Sequence, residues 1–169
     1  YGFAEDEIVF LFPSSGHQRK GLDLLADFFG LTALPVTLAV AGRPVGRCPP
    51  RVRELGYVAD IENLYRAADF SILASDYEPF GLVGVESVLC GTPLVFADNI
   101  ACLEVIGEGA VHAFSRRAPA SLTAAIEQAV DRSRSGSARL PDPLAMLGYD
   151  PRLELHAGRL RELCEQAFL

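Results

Sequence analysis

The sequence predicts an α/β protein with a doubly wound, mainly parallel sheet of the Rossmann-like class. Two observations carry this. Short runs rich in β-formers alternate with amphipathic helical patterns along most of the 169 residues, as parallel strands joined by crossover helices require. Runs such as IVFLF at residues 8–12 are apolar at every position, as expected of strands covered on both faces.

The elements follow in order. IVFLF ends in the turn PSSGHQ, and RKGLDLLADFFG then reads as a helix with Leu22, Leu25, Ala26 and Phe29 on one face and Gly30 as its C-cap. VTLAVAG and the shorter ELGYVA are strands, IENLYRAA is a helix and FSILAS a strand. GLVGVESVLC is the next helix, TPLVFAD a strand, CLEVIG a short helix and VHAF a strand. PASLTAAIEQAVDRSR is a helix with Ser121 near its start. Residues 135–151, rich in Ser, Pro and Gly, read as a surface crossing. Residues 152–169 form a last amphipathic helix with Leu153, Leu160, Leu163 and Cys164 on one side, able to pack on a neighbour or on its own sheet.

Half of the residues are hydrophobic and 22% charged, enough for one core, so residues 1–169 are expected to form a single domain. A net charge of -7 with scattered Lys and Arg argues against nucleic acid as a partner. No apolar run approaches the roughly 20 residues of a membrane span. Cys48, Cys90, Cys102 and Cys164 lie far apart with no CxxC pair, which predicts free thiols, a cytoplasmic setting and no metal site. The chain opens on Tyr1 rather than Met, as a piece of a longer chain would.

In such sheets ligands sit beyond the carboxyl ends of the strands. The loops PSSGHQRKG, AGRPVGR, SDYEPFG and ADNIAC are expected to meet at that edge. Three familiar motifs fail there. Gly107 and Gly109 form a GxG with His112 in place of a third glycine, Gly16 and Gly21 have P-loop spacing but are followed by Leu22 and Asp23, and no GxSxG occurs.

EPFGLVGVE, from Glu78 to Glu86, survives. Phe80 and Gly81 open a helix at the ligand edge, where free N–H groups and the helix dipole favour an anion such as a diphosphate. Gly81 allows close approach of a ligand, and Glu78 just outside the first turn accepts hydroxyl hydrogen bonds. Glu86 lies on a helix that is apolar almost all round, which predicts burial and demands a partner, a ribose diol; the alternative is that it caps a structural hydrogen bond or faces water. Lys20 is placed to reach a phosphate. Arg19 carries less weight. His17 is a titrating group or merely solvated, and Arg43 and Arg47 bind phosphate or are simply exposed.

Glu78 and Glu86 in EPFGLVGVESVLCGTPLV, RKGLDLL at 19–25, LGYVADIENLYRAADFSILAS and EVIG at 104–107 together resemble the nucleotide-binding C-terminal domain of retaining family 4 glycosyltransferases. The resemblance covers roughly residues 8–130 and implies one half of a two-domain GT-B fold. It implies a nucleoside diphosphate sugar as donor, with UDP, GDP and ADP left open, a glycan, lipid-linked sugar or polysaccharide acceptor, and no cofactor.

By the same resemblance Glu78 contacts the donor sugar, the backbone of Phe80, Gly81 and Leu82 contacts sugar and phosphate, and Glu86 holds the ribose. Lys20 contacts the diphosphate, with Lys20 and Glu78 as the catalytic pair, and Gly56, Tyr57 and Val58 hold the base. The partner implied is an N-terminal acceptor domain, which also admits peripheral contact with the cytoplasmic membrane face; without it this chain is expected to transfer nothing. Two departures stand out. Pro13 and Ser14 occupy the place of the family's Gly-Arg, so a diphosphate arginine is missing unless Arg43 or Arg47 compensates, and Ala101 and Cys102 replace a Gly-Gly. These losses keep a non-catalytic nucleotide-binding or scaffolding domain as an alternative, beside an epimerase or phosphorylase of the same fold.

Overall fold

The computed structural model describes residues 1–167. Strands β1 (Ile8–Ser14), β2 (Val36–Gly42), β3 (Val52–Gly56), β4 (Phe70–Leu73), β5 (Leu94–Ala97) and β6 (Val111–Phe114) form one sheet. Its order is β3-β2-β1-β4-β5-β6, and every pairing is parallel. Helices α1 (Leu22–Leu31), α2 (Ile61–Ala67), α3 (Leu82–Leu89) and α4 (Pro119–Arg134) connect or follow the strands, and α5 (Leu153–Ala167) ends the description. The Rossmann-like class read from the sequence is the class observed.

The fully apolar strands are explained by two covered faces. Along β1, Ile8, Phe10 and Phe12 enter one core cluster with Leu25 and Phe29 of α1 and Ile126 of α4. Val9 and Leu11 point the other way, to Leu64 and Tyr65 of α2, as the two-residue period of a strand dictates. Phe10 stacks on Phe70 at 5.3 Å and meets Phe29 edge-on at 5.5 Å, locking β1 against β4 and α1.

Three local expectations are corrected, while CLEVIG is the short helix expected, of 3-10 type at Ala101–Val105. Strand β1 runs through Pro13 and Ser14, which pair with Ala41 and Gly42, so the turn starts later than PSSGHQ suggested. Gly30 lies inside α1; the exposed Leu31 adds one more residue, and Thr32 caps the helix through its N–H to Phe28 O. The crossing segment is partly anchored: Ala138 and Leu140 are buried, and Leu147 bridges to Ile106.

Helix α5 has no buried residue, and Leu153, Leu160 and Leu163 are all exposed. It does not cover its own sheet. The two last positions of the expected 152–169 helix lie outside the described residues. Among the described residues no helix is long and apolar enough to cross a membrane.

Candidate functional site

Strands β1 and β4 are neighbours in the sheet, yet the chain leaves them in opposite directions, α1 leading to β2 and α3 to β5. Such a switch point opens a crevice at the carboxyl edge. The turn after β1 and the loop after β4 are tied together there by two backbone hydrogen bonds, Ala74 N–H to Lys20 O at 3.2 Å and Asp76 N–H to Arg19 O at 3.0 Å. Gly21 makes this contact feasible: its φ is +76°, and a Cβ on it would stand 2.0 Å from Ala74 O.

This fastening fixes Lys20 relative to Glu78. The Lys20 side chain is half-buried and its Nζ donates to Pro13 O at 3.4 Å. Burial pulls its ammonium below the ordinary lysine range; Glu78 opposes that shift, Arg19 adds to it, and Glu86 opposes it. Both glutamates of EPFGLVGVE are therefore electrostatic neighbours of one lysine.

Arg19, given little weight in the sequence, is bonded to the candidate site residue Glu78. Its Nη1 donates to Glu78 Oε2 and to Tyr77 O, each at 2.8 Å. The Glu78 side chain is 13% exposed and that of Arg19 47%. The available signal was Arg19's position beside Lys20 on a ligand-edge loop.

Gly81 adopts the left-handed region at φ +92° as the N-cap of α3, so Gly81 opens the helix as expected and Phe80 lies one position before the cap. The first-turn N–H groups of Leu82 and Val83 have no intrahelical acceptor. The structure adds a reason for glycine. A Cβ there would meet Ile100 Cγ2 at 2.8 Å and Cys102 Sγ at 3.3 Å, so backbone conformation and packing against the protein itself also exclude a side chain. Cys102 N–H also donates to Phe80 O at 2.7 Å. Burial pushes the Cys102 thiol up to about 12.

The expected burial of Glu86 is also corrected. Glu86 is exposed, with Leu82 and Leu89 beside it on the open face of α3, while Gly84, Val85, Ser87 and Val88 face inward. Its demand for a partner is met by the Tyr65 hydroxyl, which donates to Glu86 Oε2 at 2.9 Å. The sequence concealed this because Tyr65 reads as a core position of α2.

Lys20, Tyr57 and Val58 share a cleft of about 370 Å³ with Ser14, Gly42 and Ile61. Tyr57 is 87% exposed, and Gly56 closes β3 just before it. The Ser14 hydroxyl accepts the Gly16 N–H at 2.9 Å. Arg43 and Arg47 are exposed and do not line this cleft, and His17 Nε2 is bonded to Arg43 O. A larger cavity of about 480 Å³ lies at the ends of β4, β5 and β6, where Arg116 pairs with Asp76 at 2.7 Å. Asn99 also lines it and donates to Ser75 O and Asp76 O. Among the described residues no cluster of three or more His, Cys, Asp or Glu is placed to hold a metal ion.

Residues 7–132 match the family described as glycosyl transferases group 1. The chain belongs to this family. A similar curated relative of this group 1 chain is a probable transglycosylase of Burkholderia thailandensis, 48% identical over 157 residues that make up 91% of this chain and 43% of that protein. A mannosylfructose-phosphate synthase of Agrobacterium fabrum is 37% identical over 46% of this chain and 22% of its own. The chain thus spans less than half of these relatives. Among solved structures, the sucrose-phosphate synthase of Thermosynechococcus elongatus superposes with a TM-score of 0.77 at 22% identity, covering 98% of this chain and 47% of that one. Anabaena HepE in complex with UDP and glucose gives 0.74 at 22% identity, over 95% and 49%. These likenesses establish the fold as one half of the GT-B arrangement.

Proposed function

We propose that residues 1–169 form the donor-binding domain of a retaining family 4 glycosyltransferase, which moves a sugar from a nucleoside diphosphate sugar to an acceptor hydroxyl. The observation that carries this reading is Lys20 at the β1/β4 switch point, fastened by its backbone to the loop after β4 that leads into α3 and near enough to Glu78 and Glu86 for both to act on its charge. A cation and free helix N–H groups suit a diphosphate, and the two carboxylates suit the hydroxyls at either end of it.

In this reading Lys20 and the first turn of α3 stabilise charge on the leaving diphosphate as the bond from the anomeric carbon to phosphate oxygen breaks. The acceptor oxygen bonds to that carbon on the same face, and its proton passes to the departing phosphate. Glu78 and the backbone at Phe80, Gly81 and Leu82 hold the sugar, Glu86 the ribose, and Gly56, Tyr57 and Val58 the base. UDP is favoured as a first probe because HepE is described with UDP. The acceptor domain is supplied by another part of the protein, and the uncovered α5 supports contact with it. This chain alone transfers nothing.

Calorimetry of the chain with UDP, GDP and ADP tests the reading, repeated with Glu86→Ala and Lys20→Ala. At least one nucleotide binds and both substitutions weaken it by about tenfold or more, the scale of a lost charged hydrogen bond. Absence of binding at millimolar concentration refutes it and favours the scaffolding alternative, for which Ser14 in place of an arginine is the motivating feature.

A further inference from the structure

Tyr65 occupies a position that packing alone would give to Phe. Its ring is 1% exposed, within the cluster of Val9, Leu11 and Leu64 beneath the sheet. The hydroxyl crosses from α2 to α3 and donates to Glu86 Oε2 at 2.9 Å. Its backbone is pinned as well, since Thr92 Oγ1 donates to Tyr65 O at 2.7 Å and itself accepts Arg139 Nη1 at 2.6 Å.

The two partners differ in freedom. Glu86 is an exposed side chain with several rotatable bonds, whereas Tyr65 is packed in the core. A hydrogen bond between them selects one orientation of the carboxylate before any ligand arrives, which removes part of the ordering cost of binding. With Oε2 engaged by the phenol, Oε1 is left as the freer acceptor.

We propose that Tyr65 is a positioning residue for nucleotide recognition: it pre-sets the Glu86 carboxylate so that its free oxygen meets the ribose diol. This rests on the reading of Glu86 as the ribose holder. It assigns discrimination between ribose and deoxyribose to a buried phenol that touches no ligand.

The test uses the tightest binder among UDP, GDP and ADP, together with its 2′,3′-dideoxy counterpart and inorganic pyrophosphate. Affinities are measured for the unaltered chain, Tyr65→Phe and Glu86→Gln, with thermal melting as a control for folding. The unaltered chain prefers the ribonucleotide, Glu86→Gln abolishes that preference, and Tyr65→Phe narrows it by about tenfold while pyrophosphate affinity stays the same. A Tyr65→Phe protein that melts lower but keeps its full preference overturns the positioning role and leaves the ribose reading intact. An unaltered chain that binds no nucleotide, or does not distinguish the two sugars, overturns the ribose reading and the positioning role together.

Discussion

Arg19 Nη1 donates to Glu78 Oε2 across 2.8 Å, joining the turn after β1 to the loop after β4 across 59 positions of sequence. The same guanidinium donates to Tyr77 O, so it holds both the carboxylate and the backbone that carries it. Arg19 is thereby the residue that orients the proposed sugar contact.

Arg19→Ala is expected to leave nucleoside diphosphate binding nearly unchanged and to weaken the nucleotide sugar several-fold relative to it. The pair is partly exposed, so its own contribution to stability is only about 0.5–1 kcal/mol. Calorimetry with both ligands, alongside a melting curve, measures this split. Equal weakening of the two ligands would place Arg19 on the diphosphate instead.

Lys20 has a sign that pH reveals. Its folded pKa lies below the ordinary 10.5 because of burial, so between those values the unfolded chain binds more protons than the folded one. Stability due to this group therefore rises with pH across that window. Lys20→Met is expected to flatten that rise in urea titrations at a series of alkaline pH values. Diphosphate binding has the opposite slope, because it requires the ammonium: affinity declines as pH climbs through the depressed pKa, and the decline disappears in Lys20→Met.

Gly21→Ala is expected to cost about 2–4 kcal/mol, because φ of +76° and an approach of 2.0 Å to the Ala74 carbonyl cannot both be relieved without opening the loop contact. Gly81→Ala, whose new methyl meets the side chain of Ile100 at 2.8 Å, is expected to cost about 1–3 kcal/mol. Urea unfolding of both variants ranks them; Gly81→Ala exceeding Gly21→Ala would contradict the packing argument.

The thiols provide a check on the fold. Cys48 and Cys164 are exposed, Cys90 is half-buried and Cys102 is buried. With its pKa up to about 12, Cys102 has only about one thiolate in ten thousand at pH 8. A disulfide reagent at pH 8 should modify Cys48 and Cys164 rapidly, Cys90 more slowly and Cys102 only on unfolding, as mass spectrometry of timed samples would show.

Much of this was legible from residues alone. Alternating β-rich runs and amphipathic segments determined the α/β class, because strand and helix periods differ and each run could follow only one of them. EPFGLVGVE determined a helix opening at the carboxyl edge of the sheet, with Lys20 in a neighbouring loop. The prediction of a buried Glu86 failed for an instructive reason. The valines around it suggested burial all round, but α3 covers the sheet with one face and leaves Leu82, Glu86 and Leu89 on the other.

By itself, then, the sequence determined the order of elements and the residue types available at the carboxyl edge of the sheet, since these depend on local periodicity and on the topology of parallel sheets. Only the tertiary structure decided which groups act on each other. Arg19 reaches Glu78 because the switch point sets β1 beside β4, and Tyr65 reaches Glu86 because α2 and α3 pack on the same face. Both are contacts between side chains distant in sequence, whose energies depend on a separation of about 3 Å that no local pattern encodes.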